Sequence, residues 1–228
     1  MALHTSVAAQ WREMVGSPIV EGFGLTESSP VLTFNPLDGT AKDGTIGIPV
    51  PSTQARCVDD NGNDVPVGEA GELITKGPQV MAGYWNQPEE TAATIVDGWL
   101  HTGDVAEMDE QGFFTIVDRK KDVIVVSGFN VYPNEIEDLI AGVEGVAEVG
   151  VIGLPDSRSG ERVEAFVVSS GDGVTSESII AHCRRSLAGY KIPQRVTVVD
   201  ELPKSPIGKI LRRELRSNAV NSTERDGA

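Results

Sequence analysis

The chain has 228 residues, of which 39% are hydrophobic and 23% are charged, and its formal net charge is -15. This composition is typical of a water-soluble globular protein, and the length is sufficient for one large domain or two small ones. The negative charge disfavours nucleic acid and polybasic membrane contacts. Two cysteines without metal-ligand spacing, together with the lack of a secretory signal or a membrane-length apolar run, favour a reducing, cytoplasmic location.

The sequence pattern of residues 1–40 is typical of the end of an α/β layer. An amphipathic helix is predicted over 2–15, because apolar residues recur there at four-residue spacing. A short strand is predicted over 18–21, followed by a glycine-flanked turn over 22–24. Too few strands precede this segment to complete a parallel layer, so we expect residues 1–40 to be the remnant of a larger α/β domain.

Residues 41–117 predict a small β-rich, barrel-like subdomain. Turn signals such as Asp60-Asn61-Gly62-Asn63 separate short apolar segments throughout this region. One helix should interrupt the strands near Pro88, which suits a first helical turn, and the following Glu89 and Glu90 suit the positive end of the helix dipole.

A fully charged connection follows at Asp118-Arg119-Lys120-Lys121-Asp122. It joins two apolar segments, residues 113–117 and 123–126, that read as buried strands. Charged groups stay solvated in such a connection while the strands pack, so the pattern predicts a turn or a hinge.

Residues 118–216 predict a compact α+β domain after the hinge. Helices are predicted to begin at Pro133 and after a capping Thr175. A short basic helix is predicted over 209–216. Strands are predicted at the segments 146–154, 163–169 and 195–199. The last residues, 217–228, are polar and predict a disordered tail. The expected fold class is therefore mixed α+β.

Six motifs occur in a fixed order along the chain. They are Gly22-Phe23-Gly24-Leu25-Thr26-Glu27-Ser28, Gly71-Glu72-Leu73, Gly83-Tyr84-Trp85, His101-Thr102-Gly103-Asp104, the charged connection with Ser127-Gly128-Phe129-Asn130, and Pro203-Lys204-Ser205-Pro206-Ile207-Gly208-Lys209. Each motif alone has an ordinary structural explanation. In this order, over residues 1 to about 216, they closely resemble the adenylate-forming (AMP-binding) enzymes. Within that superfamily the chain looks most like the long-chain fatty acyl-CoA ligases.

The resemblance implies an ATP-dependent acid–CoA ligase that uses Mg²⁺. Enzymes of this family convert a carboxylic acid and ATP to an acyl-adenylate and pyrophosphate, and CoA then displaces AMP. Their small C-terminal domain rotates between the two steps. The implied partners are therefore a small-molecule acid, ATP and CoA, with peripheral membrane contact through a lipid substrate as an open alternative.

The resemblance also implies residue roles at the nucleotide. Matching positions bind the nucleotide at Gly22, Phe23, Gly24, Thr26, Asp104, Arg119 and Lys209, and Glu27 would help to hold Mg²⁺. A carboxylate such as Asp104 can accept hydrogen bonds from two ribose hydroxyls, and oxygen ligands suit Mg²⁺. A glycine turn, a turn-capping Asp104 and a solvated Arg119 are the ordinary structural alternatives.

Three further roles follow from the resemblance. Lys209 would be catalytic, because a fixed ammonium at the reacting carboxylate and α-phosphate lowers the barrier to adenylation. Lys121 would be the hinge residue. The CoA-binding residues would be Ser127, Gly128 and Phe129, although Gly128 equally suits the end of a strand.

The sequence departs from the family in one respect. Family members carry a Ser/Thr/Gly-rich phosphate loop ending in Pro-Lys-Gly well before the Gly-Phe-Gly turn, and the chain has no such segment. We therefore expect a C-terminal fragment that lacks full activity alone. The alternatives are a non-catalytic nucleotide- or CoA-binding module, a partner for a complementary N-terminal chain, a homo-oligomer, or an adenylation domain that serves a carrier protein.

Overall fold

The computed structural model describes residues 5–171, 173–206 and 208–226, and it divides into two units between Lys120 and Lys121. This boundary lies inside the charged connection. Across the described ranges, no helix is both long and apolar enough to pass through a lipid bilayer. The predicted α+β class is confirmed, since both helices and several sheets are present. The two units are described separately.

The first unit opens with one helix and a small antiparallel sheet. The elements are α1 (Thr5–Val15), β1 (Gly22–Gly24), β2 (Val31–Phe34) and β3 (Ile48–Pro49), in the sheet order β1-β2-β3. The predicted helix is confirmed from Thr5 onward, and its first residues lie outside the described part of the chain.

The strand predicted over 18–21 is wrong, because these residues are irregular and the strand lies at β1, where a turn was expected. The reason is the close approach of two main chains. A Cβ atom on Gly24 would lie 1.7 Å from the carbonyl oxygen of Pro30. Glycine at this position therefore lets β1 pair with β2, and this contact could not be read from a local turn signal.

A five-stranded antiparallel sheet forms the rest of the first unit. Its elements are β4 (Gln54–Val58), β5 (Gly71–Lys76), α2 (Pro88–Thr94), β6 (Ile95–Val96), β7 (Trp99–Met108) and β8 (Phe114–Arg119). The long strand β7 pairs with β5 on one side and with both β6 and β8. Leu73, Ala106 and Phe114 are almost completely buried in its core. The helix predicted near Pro88 is confirmed as α2.

The second unit has a five-stranded sheet with three helices. Its elements are β9 (Ile124–Val126), β10 (Phe129–Val131), α3 (Pro133–Ala141), β11 (Val146–Asp156), β12 (Gly160–Ser169), α4 (Ser176–Ser186), β13 (Arg195–Val199) and α5 (Arg212–Asp226). The sheet order is β10-β9-β12-β11, and β13 pairs with β12 in parallel. The helices predicted from Pro133 and after Thr175 are confirmed, and the Thr175 hydroxyl accepts a hydrogen bond from the Ser178 amide.

Both faces of this second sheet are buried. Alternate residues of β11 and β12 point to opposite faces, as the strand period requires. One face packs against Ile136 and Ile140 of α3 and against α4. The other face packs against Leu215 and Ala219 of α5.

The helix predicted near the end of the chain is confirmed, but its predicted start and the predicted disordered tail are wrong. The basic helix expected over 209–216 begins at Arg212, and the tail expected to be disordered continues that helix to Asp226. The cause is packing against the sheet, since Leu215 and Ala219 are only 5% and 6% exposed. Apolar burial of this kind stabilises a helix whose own residues are mostly polar. Residues 227–228 lie outside the described part of the chain.

Candidate nucleotide-binding site

Asp104 and Arg119 lie directly opposite each other on two paired strands. They are register partners in β7 and β8, and Arg119 Nε is 3.5 Å from Asp104 Oδ1. Asp104 is 6% exposed, whereas the Arg119 side chain is 45% exposed. A rigid carboxylate beside a reachable guanidinium offers both an acceptor and a donor to a diol such as a ribose. The structure thus brings together two residues that are 15 positions apart in the sequence.

A second carboxylate, Glu72 of β5, lies on the neighbouring strand, where it is the register partner of Val105 in β7. Its Oε2 accepts from Lys120 Nζ at 3.1 Å and lies 3.0 Å from His101 Nδ1, and its Oε1 accepts from the Gly103 amide at 3.3 Å. Lys120 also contacts Asp60 at 3.0 Å. We call Glu72, His101, Gly103 and Lys120 the Glu72 cluster. Two of its members, Gly103 and Lys120, are the residues directly before Asp104 and directly after Arg119 in the sequence.

The contacts within the Glu72 cluster shift the pKa values of Glu72 and Lys120. Burial alone would raise the pKa of Glu72, but hydrogen bonds from His101 and Lys120 outweigh burial and hold the pKa below its usual value. Burial alone would lower the pKa of Lys120, but its hydrogen bonds to Asp60 and Glu72 raise the pKa instead. Both groups are therefore charged at neutral pH. A buried carboxylate must be paired, and the Lys120 ammonium supplies a paired positive charge here.

The predicted phosphate and metal residues lie on one turn. Thr26 and Glu27 open a single 3-10 turn that ends at the buried Ser28, directly after β1. The Ser28 hydroxyl accepts from the Leu25 amide at 2.9 Å and so holds the turn closed. Thr26 is exposed. The side chain of Phe23 packs partly against the core of the unit, so this ring has a structural role there.

Glu27 is fixed by Tyr84 of the Gly-Tyr-Trp motif. The Tyr84 hydroxyl donates to Glu27 Oε1 at 2.7 Å, and the Met81 amide donates to the Glu27 carbonyl at 2.8 Å. The hydrogen bond to Glu27 raises the pKa of Tyr84. The described residues contain no cluster of three or more potential metal ligands. A single carboxylate nevertheless fits Mg²⁺ that takes its other ligands from phosphate and water.

The predicted hinge residue, Lys121, is exposed in a 3-10 turn that spans Lys120–Asp122. In the second unit, Asp122 lies 3.4 Å from Arg212. The end of the charged connection is thereby tied to the start of α5. Lys120 on the other side of the boundary is tied to Glu72.

The predicted CoA residues form a hairpin turn. Ser127 and Gly128 have φ values of 52° and 85° and connect β9 to β10, with Val126 paired to Phe129. Two consecutive residues with positive φ are typical of the tight turn that joins twisted strands. A Cβ atom on Gly128 would meet no other atom within 4 Å, so the turn conformation explains the glycine. Phe129 is 56% exposed and stacks on Tyr190 at 4.8 Å between ring centroids.

Lys209 lies on an exposed loop just before α5. The Ser205 amide donates to the Lys209 carbonyl and the Gly208 amide to the Ser205 carbonyl, both at 2.8 Å. Gly208 has a φ of 79°, which few other residues adopt. Three residues later, Arg212 donates to Glu137 at 2.6 Å and to Asn134 at 2.5 Å, which fixes the first turn of α5 to α3.

Within the first unit the structure thus pairs Asp104 with Arg119 and places Thr26 beside Glu27. Lys121, Ser127, Gly128, Phe129 and Lys209 belong to the second unit. Four contacting residues were not predicted as site residues: Glu72, Tyr84, His101 and Lys120. A charged Glu72 inside an otherwise buried strand is the sequence signal that could have singled it out.

Comparison with known proteins agrees with this architecture. The AMP-binding enzyme model matches residues 1–85, and the AMP-binding enzyme C-terminal domain model matches residues 135–209. The chain therefore belongs to the adenylate-forming, AMP-binding enzymes.

Its curated relatives include a long-chain-fatty-acid–CoA ligase of Escherichia coli O6:H1, which is 55% identical over 219 residues. That match covers 96% of this chain and 39% of the relative, so the chain spans well under half of the relative's length. ATP-bound MatB from Rhodopseudomonas palustris superposes with a TM-score of 0.88 at 36% identity, over 93% of this chain and 43% of that one. The anthranilate CoA ligase AuaEII in complex with anthranoyl-AMP superposes with a TM-score of 0.84 at 34% identity, over 96% of this chain and 43% of that one.

Proposed function

We propose that the chain is the C-terminal part of an ATP-dependent long-chain fatty acid–CoA ligase. It would contribute half of a site that makes an acyl-adenylate from an acid and ATP, and then an acyl-CoA from CoA. The observation that carries this proposal is the cross-strand Asp104–Arg119 pair at the end of the first unit. In this proposal the pair binds the AMP ribose, and Thr26 donates to phosphate.

The remaining roles extend the same proposal. Glu27, held by Tyr84, would ligate Mg²⁺ together with the phosphates. Lys121 would be the hinge, and Lys209 would reach the reacting carboxylate and α-phosphate during adenylation. Ser127, Gly128 and the exposed Phe129 would contact CoA. We also propose a cytoplasmic location and the division into regions 1–40, 41–117 and 118–216.

The test is calorimetry of the purified 228-residue chain with a non-hydrolysable acyl-adenylate analogue. We expect saturable binding that Asp104→Ala abolishes and that Asp64→Asn, a surface change in the same unit, leaves intact. A folded wild-type chain that does not bind would count against the ribose site. Activity is measured in a second protein, in which the amino-terminal part of the E. coli relative is joined to this chain.

One observation favours a second role beside this one. Several apolar side chains near the start of the chain are exposed, including Met14 at 84% and Leu37 at 80%. Where exposed apolar side chains adjoin to form one surface, another polypeptide normally covers that surface. A complementary N-terminal region, on the same or a separate chain, would cover it, or a second copy would do so. Light scattering of the chain with and without that region distinguishes these outcomes.

A further inference from the structure

Glu72 is a buried charge in a strand that is otherwise core. Its side chain is 8% exposed, and the neighbouring Leu73 and Ile74 are 0% and 2% exposed. Burying a carboxylate is costly unless its oxygens are paired. A glutamate with only a solubility role would lie on the solvent face of β5, so the burial of Glu72 needs another explanation.

The contacts of Glu72 indicate what that explanation is. One oxygen faces His101 and Lys120, and the other accepts from the Gly103 amide. Two of these groups precede Asp104 in β7, and the third follows Arg119 at the end of β8. A single carboxylate therefore spans the two segments that carry the paired residues.

We propose that Glu72 is a positioning residue of the nucleotide site, which holds these two segments together so that Asp104 and Arg119 stay side by side. The proposal rests on the function proposed above for that pair. Glu72 acts through His101, Gly103 and Lys120, each of which donates to it. In this proposal Asp104 and Arg119 bind the ribose, whereas Glu72 only holds them in place.

The chemistry of the carboxylate predicts which substitution disrupts the cluster. Three donors converge on two acceptor oxygens in the wild-type chain. Glutamine keeps the length of the side chain but offers one acceptor oxygen, and its amide group only donates. Glu72→Gln therefore leaves at least one donor without its acceptor while preserving shape and burial.

The test combines hydrogen exchange with calorimetry on the full 228-residue chain. The variants are Glu72→Gln and, as a matched loss of one surface carboxylate, Asp64→Asn. We expect Glu72→Gln to speed amide exchange at 101–104 and 118–120 and to weaken binding of the acyl-adenylate analogue about tenfold. Asp64→Asn should change neither quantity. Normal exchange at both segments in a folded Glu72→Gln chain would overturn the proposal.

Two outcomes are kept apart by this design. If the wild-type chain does not bind the analogue, the ribose site itself is contradicted, whereas the exchange data still test whether Glu72 restrains the two segments. If Glu72→Gln does not fold, Lys120→Met replaces it, because this variant removes one donor only. Faster exchange confined to 118–120 with weaker binding would then support the proposal, and unchanged exchange and binding would refute it.

Discussion

Replacing Arg212 with methionine should destabilise the second unit selectively. The Arg212 side chain is 15% exposed and contacts Glu137, Asn134 and Asp122, and the two carboxylates are themselves 17% and 18% exposed. Methionine preserves the length of the stem but leaves both carboxylates without this partner. Removing one member of a buried ion pair costs about 3–5 kcal/mol, and the residual exposure of the group reduces our expectation to about 2–4 kcal/mol.

The distribution of tryptophan provides the assay. The three tryptophans are Trp11, Trp85 and Trp99, which all lie in the first unit. Urea unfolding followed by tryptophan fluorescence therefore reports the first unit, whereas far-ultraviolet circular dichroism reports both units. A loss of about 3 kcal/mol lowers a urea midpoint by about 1–3 M. We expect the dichroism transition of Arg212→Met to shift to lower urea while the fluorescence transition stays in place.

The matched control is Arg213→Met, which changes an exposed arginine in the same helical turn. If the two variants differ by less than about 0.5 kcal/mol, the network around Arg212 contributes nothing beyond an ordinary surface charge. A double variant, Arg212→Met with Glu137→Gln, measures the coupling directly. Its loss should be smaller than the sum of the two single losses, because the second change removes the charge that the first left without its arginine partner.

Four further predictions concern the Glu72 carboxylate, the Tyr84 hydroxyl and the roles proposed for Lys209 and Lys121. Because the pKa of Glu72 is lowered in the folded chain, its stabilisation is present above the usual value of 4.5 and is lost as the pH falls through the folded value. The fluorescence-detected unfolding free energy should therefore fall in acid, and less so in Glu72→Gln. Tyr84→Phe should cost about 1 kcal/mol in the same assay, since it removes the donor to Glu27. In the ligase completed with the E. coli amino-terminal part, Lys209→Ala should lower adenylation about 100-fold or more, while thioester formation from supplied acyl-adenylate persists. Lys121→Pro should slow that second half-reaction more than adenylation, and equal slowing of both would contradict the hinge role.

Local signals in the sequence were sufficient for several elements. Pro88 and Pro133 each start a helix as predicted, because proline has no amide to leave unpaired in a first turn. Thr175 caps α4, and its hydroxyl makes the expected contact with the Ser178 amide. The strand predicted over 195–199 has the same bounds in the structure. Each of the three helix starts depends on chemistry within a few residues of the helix end.

The elements that were missed depend on partners far along the chain. Strand β1 forms because Gly24 lets the Pro30 carbonyl approach, and α5 continues past residue 216 because Ala219 is buried against the sheet. The Glu72 cluster joins residues of β5 and β7 with Lys120, which follows β8, so no window of the sequence contains it. For the candidate site, the motif order predicted Asp104 and Arg119, whereas the residues that support them emerge only from the strand pairing.

The boundary between the two units falls between neighbouring lysines, and this has a mechanical consequence. Lys120 is anchored by two acidic partners, whereas Lys121 begins the next unit. A joint without a flexible spacer leaves only a few backbone torsions free, so any swivelling of the second unit must be concentrated in them.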